Sequence, residues 1–382
     1  MSRAPDAFTS DEQRRYLRHF TLPEVGVAGQ RRLREARVLL VGVGGLGSPA
    51  ALYLVAAGVG HLGLIDPDVV DLTNLQRQVL YRTPDLGRPK VDVARETLLA
   101  LNPHLDIATH HARFGADNAA ALLADYDLVL DGADNFPTRY LVNDACVLAG
   151  KPNVHGSIYR FEGQVSLFAA PGGPCYRCLY PEPPPPGVVP DCASAGVLGV
   201  LPGLVGAIMA TEAIKYILGL GDSLAGRLLL IDARATKFRE LRVTRDPACP
   251  LCGPHATIHT LEELRNTCAT TPEPPMNLAA LTPAELKQER DANRPLVLLD
   301  VREAFELDIA RLDPCVHIPL GELPARIGEL DPASDIVCLC RSGGRSARAV
   351  QYLAQRGFPR VRNLTRGILG WSDDVDPSLP KY

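Results

Sequence analysis

The sequence predicts an α/β protein built as two domains in series. Three observations carry this. The 382 residues exceed what one ordinary core accommodates. Strand-length apolar runs alternate with helix-period segments, the pattern of a parallel sheet. A proline-rich stretch without apolar periodicity, Thr267–Pro275, separates two such alternations. The division expected is a first domain over 1–258, a linker over 259–277 and a smaller domain over 278–382.

In the first domain, Arg37–Val41 reads as a buried strand, Ser48–Ala57 as a helix and His61–Ile65 as a second strand. Lys90–Leu101 follows as a helix, Tyr126–Leu130 as a strand ending at Asp131, and Tyr140–Ala149 as a helical pattern that packs Cys146 in the core. Pro181–Pro186 suits neither helix nor central strand and is expected to be an exposed loop. In the second domain, Leu296–Leu299 is a short buried strand ending at Asp300. Ile336–Leu339 is another and delivers Cys340; Ser346–Gln355 follows as a helix. Cys338 is expected to point to the opposite face from Cys340 and to serve packing.

Hydrophobic content of 46% and charged content of 22% are those of a globular protein. A net charge of −4 gives no footprint for nucleic acid. No apolar stretch is expected to cross a bilayer, and the first residues lack a secretory core, so a cytoplasmic location without a membrane partner is expected. In a reducing compartment the clustered pairs among the ten cysteines point to metal or catalysis rather than disulfides.

Gly42, Gly44 and Gly47, in Gly42-Val43-Gly44-Gly45-Leu46-Gly47, have the spacing of a dinucleotide fingerprint between strand and helix. Glycines permit the tight turn and the approach of backbone to phosphate, and the helix N-terminus adds positive potential. Alone this is compatible with an NAD-binding oxidoreductase with Asp66 on the ribose, the second domain then sensing sulfur. The residues that follow argue otherwise. Thr73-Asn74-Leu75-Gln76-Arg77-Gln78, Gly87-Arg88-Pro89-Lys90 and Asp131-Gly132-Ala133-Asp134-Asn135 supply an arginine, a lysine and an aspartate. Hydride transfer has no need of that set. Nucleotidyl transfer does: cations neutralise the α-phosphate and leaving pyrophosphate, and a carboxylate holds Mg²⁺.

With these residues in order, roughly residues 10–255 resemble the MoeB/ThiF adenylyltransferases, prokaryotic relatives of ubiquitin-activating enzymes. The resemblance implies a Rossmann-like adenylation domain with Gly45, Asp66, Asn74, Arg77, Lys90 and Asp134–Asn135 around ATP, and Asp134 as Mg²⁺ ligand. It matches Arg18 to an arginine that this family inserts into the neighbouring subunit's site, and so implies a homodimer.

Cys175-Tyr-Arg-Cys178 and Cys249-Pro-Leu-Cys252 are two CxxC pairs. Four thiolates satisfy tetrahedral Zn²⁺ and leave no open position, so the site would be structural; a redox dithiol is the rival for either pair alone. The resemblance adds that this family carries such pairs as a structural zinc site. It also places Cys192 at the crossover-loop cysteine, which in some members bonds the activated carrier.

Cys340-Arg341-Ser342-Gly343-Gly344-Arg345-Ser346 combines a thiol with a glycine bend, two arginines and a helix start, which suits a thiolate or persulfide anion. Tyrosine phosphatases use a comparable cradle, usually one residue longer. The shorter loop, with Asp300-Val301-Arg302-Glu303 and His317-Ile318-Pro319-Leu320, resembles rhodanese sulfurtransferases over roughly 278–382. Where many of these read Gly-His-Ile, this chain has Asp308-Ile309-Ala310-Arg311.

Domains in this order resemble the MoeB–rhodanese fusions. The resemblance implies a ubiquitin-like sulfur carrier ending in Gly-Gly, whose carboxylate is adenylated by ATP and then receives sulfur from a persulfide on Cys340, with Cys192 assisting. The donor would be thiosulfate or another persulfide. Carriers for molybdopterin, thiamine, tRNA thiolation or secondary metabolites all fit. A non-enzymatic scaffold would need an unreactive loop, and the intact Cys340 argues against one.

Overall fold

The computed structural model describes residues 7–184, 196–263 and 279–382. The chain forms two compact units that divide between residues 266 and 267.

The first unit is built on an eight-stranded sheet: β1 (Arg37–Val41), β2 (His61–Ile65), β3 (Asp106–His110), β4 (Leu128–Asp131), β5 (Asn153–Tyr159), β6 (Glu162–Phe168), β7 (Arg227–Asp232) and β8 (Lys237–Arg242). Their order across the sheet is β3-β2-β1-β4-β5-β6-β7-β8. The first five strands run parallel, and β5 to β8 are joined antiparallel. After the exposed Arg37, β1 is apolar because both its faces are covered. Val38 and Leu40 enter a cluster with Leu54 and Leu98, while Leu39 and Val41 enter another with Phe114 and Leu141. The helices that matter for the sites are α1 (Gly47–Ala57), α2 (Lys90–Leu101), α3 (Phe136–Ala149) and α4 (Val200–Leu218).

Two expectations need correction here. The strand expected over 126–130 runs from Leu128 to Asp131. And α4 is a helix of 19 residues with mean hydropathy 1.4, long and apolar enough by length and composition to cross a bilayer, where the sequence reading expected no such stretch. In the fold it is a core helix: Leu201, Val205, Met209 and Ala213 are buried in the main cluster. The same helix holds Glu212, which pairs with Lys215 at 2.5 Å and accepts the Leu224 N–H at 2.7 Å.

The second unit has five parallel strands, β9 (Ala280–Leu281), β10 (Val297–Asp300), β11 (Val316–His317), β12 (Ile336–Leu339) and β13 (Val361–Leu364), in the order β11-β10-β12-β13-β9. α5 (Gly344–Gln355) follows β12 and α6 (Gly367–Asp374) follows β13. α5 starts at Gly344, two residues before the expected Ser346, because Gly343 takes φ +99° and turns the chain into the helix at once. Cys338 corrects a second expectation. It shares one buried cluster with Cys340 instead of facing away, since residues two apart on an extended strand share a face. It is fully buried, and burial pushes its thiol up to about 12, as suits packing. Where the expected Gly-His-Ile is missing, Ala310 offers its carbonyl to Arg302 Nη2 at 2.9 Å.

Candidate nucleotide and sulfur sites

In the first unit the strand order reverses between β1 and β4, and ligands of open α/β sheets sit outside the carboxyl ends of strands at such a point. Both loops leaving these strands are there. Gly42 has φ +87°, and a side chain on it would meet the Gly132 carbonyl at 3.1 Å, so the 42–47 and 131–135 loops touch backbone to backbone. A Cβ on Gly47 would lie 2.0 Å from the Gly42 carbonyl oxygen; only glycine lets the loop close tightly onto the start of α1. Gly44 and Gly45 are half-buried, without side chains to block the main chain.

Three segments converge on this loop. Arg77 and Gln78 cover it: a Cβ on Gly45 would touch the Arg77 stem at 3.7 Å, and one on Gly44 the Gln78 amide at 3.4 Å. The 73–78 segment is fastened by Thr73 onto Asp71, by Arg77 Nη1 donating to the Thr73 carbonyl at 3.0 Å, and by Gln76 against Gly199 before α4. Gln78 is buried and donates to Asn74 Oδ1 at 2.8 Å, while its own Oε1 has no hydrogen-bond partner among the described residues. Leu75 packs against the main cluster.

The second segment is the end of β2. Asp66 is buried, and its two oxygens accept the N–H groups of Val43 and Asp68, each at 2.9 Å. It therefore fixes the glycine loop; burial raises its carboxyl above the ordinary value. Lys90 is buried at the start of α2, with Nζ 2.7 Å from Asp68 Oδ2. The third segment follows β4. Asp131 is wholly buried, 2.9 Å from His155 Nδ1, while Asp134 and Asn135 are exposed. Asn135 caps α3, accepting the Thr138 N–H at 2.9 Å, and its amide reaches Asp134 at 3.3 Å. Asp134 thus keeps free lone pairs, as a cation ligand requires. Arg18 is exposed on the short helix Leu17–Phe20, which His19 ties through Gln30 to the end of α1. Among the described residues its side chain makes no hydrogen bond or ion pair with the glycine loop of its own chain.

The four cysteines at 175, 178, 249 and 252 come together, all sulfurs within 4.8 Å of one another. The 175–178, 175–249 and 178–252 separations are 3.9, 3.6 and 3.3 Å. Zn–S bonds of about 2.3 Å require edges of about 3.8 Å, so the donor set fits a tetrahedral zinc ion. The cluster is roped to α3: Arg177, between the first two cysteines, forms a two-pronged buried pair with Asp144 at 2.8 and 2.7 Å, and Asn143 accepts the Tyr176 N–H at 2.7 Å. Cys192 lies outside the described residues, as do most of the expected linker and part of the Pro181–Pro186 loop.

In the second unit Cys340 leaves the carboxyl end of central β12 and is 1% exposed. The Gly343 N–H donates to its sulfur at 3.1 Å, and the Ser346 hydroxyl lies 3.2 Å from the sulfur and 3.0 Å from the Gly343 carbonyl. The loop is held from outside by α6. Ile368 and Leu369 N–H groups donate to the Cys340 and Arg341 carbonyls at 2.9 and 3.1 Å. Gly367 makes this possible, as a Cβ there would sit 2.2 Å from the Cys340 oxygen.

Arg345 forms a two-pronged pair with Glu306, both contacts 2.6 Å. Burial raises the Glu306 carboxyl, but the hydrogen bonds and charge of Arg345 outweigh it and hold the group below its ordinary value. Beneath lies Arg302, fully buried and paired with Asp300. Gln78 and Glu306, which the fold brings to these two loops, were not singled out in the sequence. Gln78 carried a signal, its place in the 73–78 motif; Glu306 carried none.

Residues 16–251 match the ThiF family, and residues 282–374 match the rhodanese-like domain. The probable adenylyltransferase/sulfurtransferase MoeZ of Mycobacterium tuberculosis is 45% identical over 385 residues, spanning 98% of this chain and 97% of that protein. The adenylyltransferase and sulfurtransferase MOCS3 of Culex quinquefasciatus is 41% identical over 394 residues, spanning 98% and 90%. Among solved structures, E. coli MccB with MccA-N7isoASN has a TM-score of 0.58 at 23% identity, over 64% of this chain and 75% of that one, a likeness of fold.

Proposed function

The chain belongs to the ThiF family with a rhodanese-like domain after it, and is an adenylyltransferase and sulfurtransferase that acts on a sulfur carrier; on that premise we propose how its residues divide the work. The observation that carries the reading is the pairing, in one chain, of a glycine loop at a sheet's switch point with a thiol held in an amide-lined loop. The substrate is a ubiquitin-like carrier ending in Gly-Gly.

The carrier's terminal carboxylate attacks the α-phosphorus of ATP, a carboxylate–phosphate bond forms, and pyrophosphate leaves. The glycine loop and the start of α1 bind phosphate through main-chain N–H groups. Asp66 orients the ribose, and Arg77 and Lys90 neutralise the charge that grows on the α-phosphate and leaving group. Lys90 exchanges Asp68 for phosphate, a swap of one anion for another. Mg²⁺ held by Asp134 would supply further neutralisation and orient the phosphates.

Cys340 carries sulfur as a persulfide, whose terminal sulfur attacks the carrier's acyl carbon while AMP leaves, so that the carrier is held to Cys340 as an acyl disulfide. A second thiolate then attacks the Cys340 sulfur, the carrier thiocarboxylate leaves with the bonding pair, and a thiol reductant reopens the disulfide left behind. Cys192 takes part in the hand-over. The zinc ion is structural and steadies the chain next to α3. We propose domain limits of 1–258 and 278–382, and a cytoplasmic enzyme.

Association as a homodimer is supported by an apolar groove between α1 and α4, lined by Leu52, Tyr53, Ala56, Val79, Leu101 and Ile214. Tyr53 and Val79 are 57% and 62% exposed, and His19, beside Arg18, sits on the same groove. A second copy would seat on this groove, and the family resemblance gives Arg18 the role of completing the neighbouring copy's site.

The test is exchange of labelled pyrophosphate into ATP, which requires a Gly-Gly carrier, followed by mass spectrometry of the carrier for a thiocarboxylate. Exchange without any carrier dependence, or no thiocarboxylate with any Gly-Gly carrier of the host, overturns the reading.

A further inference from the structure

The last residue described in the second unit converges on the Cys340 loop. Tyr382 is half-buried. Its phenol oxygen accepts from Arg302 Nη1 at 2.6 Å and donates to Glu306 Oε1 at 3.0 Å. Burial pushes the phenol up to about 12, so it keeps the proton that it gives to Glu306. Glu306 in turn holds both prongs of Arg345. The main-chain oxygen of Tyr382 accepts from Arg341 Nε, and the Arg341 and Arg302 guanidinium groups stand 5.6 and 5.9 Å from its ring centre.

Both arginines of the sulfur loop are therefore tied to one distant residue. Arg341 is held by its main chain and ring, and Arg345 by its phenol through Glu306. An arginine left to itself samples many rotamers and loses that freedom when it grips an anion; one already fixed loses little. Arg302 gives the tie a rigid base, since it is locked onto Asp300 inside the unit.

We propose that Tyr382 is a positioning residue of the sulfur site, setting Arg341 and Arg345 around Cys340 so that they grip an anionic sulfane-sulfur donor. This deepens the reading of Cys340 as persulfide carrier and rests on it. In the step concerned, the Cys340 thiolate attacks the outer sulfur of thiosulfate. The new S–S bond forms as the old one breaks, sulfite leaves with the bonding pair, and the persulfide anion remains. Tyr382 exchanges no atom or electron with the donor, so its effect falls on binding.

The test uses the full chain, with thiosulfate as donor and cyanide as acceptor, for Tyr382→Phe, Tyr382→Ala and Cys340→Ser. Tyr382→Phe keeps the ring and main chain and removes the phenol bridge. Its KM for thiosulfate should rise about fivefold, the scale of one ordinary hydrogen bond, with kcat and melting temperature unchanged. Tyr382→Ala should raise KM further, and pyrophosphate exchange should be normal in both. If the alanine variant fails to fold, the phenylalanine variant decides. An unchanged KM in Tyr382→Phe, or a fall in kcat and melting temperature at constant KM, overturns the proposal. If Cys340→Ser still transfers sulfur, the reading of Cys340 fails instead. A dead Cys340→Ser beside wild-type behaviour of the Tyr382 variants sinks the Tyr382 proposal alone.

Discussion

The loops after β1 and β12 are built alike and differ in where they keep their charge. Each leaves the carboxyl end of a central parallel strand, turns at a glycine of positive φ, and runs straight into a helix. The 42–47 loop carries no charged or nucleophilic side chain, and its cations arrive from distant segments, Arg77 and Lys90. The 340–345 loop carries its nucleophile and both cations itself, and the second cation is tied down by a carboxylate. A bare loop can receive a large polyanion that comes and goes. A loop that carries its own thiol and arginines suits one small anion held beside its sulfur.

If the two loops do separate tasks, damage to one should spare the other. The largest effect expected is for Cys340→Ser, in which thiocarboxylate formation from thiosulfate or a persulfide donor falls by about 10³-fold or more while pyrophosphate exchange persists. A mutant that makes thiocarboxylate from a persulfide donor at the wild-type rate would move the role to Cys192. Asp134→Ala is the mirror case: exchange should drop about 10²-fold or more, with thiosulfate sulfurtransfer untouched. Near-normal exchange would show that Asp134 holds no metal.

Zinc sharpens the contrast, because the four-cysteine site belongs to the first unit alone. Elemental analysis should find about one ion per chain, and chelation should melt the first unit while sulfurtransfer survives. An absence of zinc together with four alkylatable thiols in the native protein would break that expectation. Next come two glycines that a methyl group would displace. Gly47→Ala should cost about 1–3 kcal/mol of local strain and damage only exchange, and Gly367→Ala a similar amount and damage only sulfurtransfer. The smallest effect is on acid stability. Glu306 titrates below its ordinary 4.5 in the folded unit, so its stabilisation is complete above that value and is lost as the pH falls through it toward the lower native value. Melting curves of the second unit from about pH 6 to about pH 3 should steepen there, and Glu306→Gln should flatten that limb.

Local chemistry made much of this legible in the sequence. β1 and β2 run over Arg37–Val41 and His61–Ile65 as read, and α2 over Lys90–Leu101, because a continuous apolar strand and a well-bounded helix announce themselves within a few residues. The antiparallel half of the sheet was not read, since pairing between β5 and β8 depends on partners far apart in sequence. The face of Cys338 was misjudged by one step of the strand period. Glu306 was invisible for a different reason: its partner Arg345 lies 39 residues away, and nothing in either segment specifies the pair. Lys90 was singled out as a site cation, but its partner Asp68, 2.7 Å away, was not foreseen.

The burial of Cys340 has a bearing on traffic. With only 1% of the residue exposed, the sulfur is shielded by its own loop, and whatever delivers or collects sulfur must be thin enough to reach it. A folded carrier is far too broad, yet its terminal Gly-Gly has no side chain and can be threaded like a wire. Small electrophiles should label this thiol readily, while bulky maleimides of the same intrinsic reactivity should be turned away.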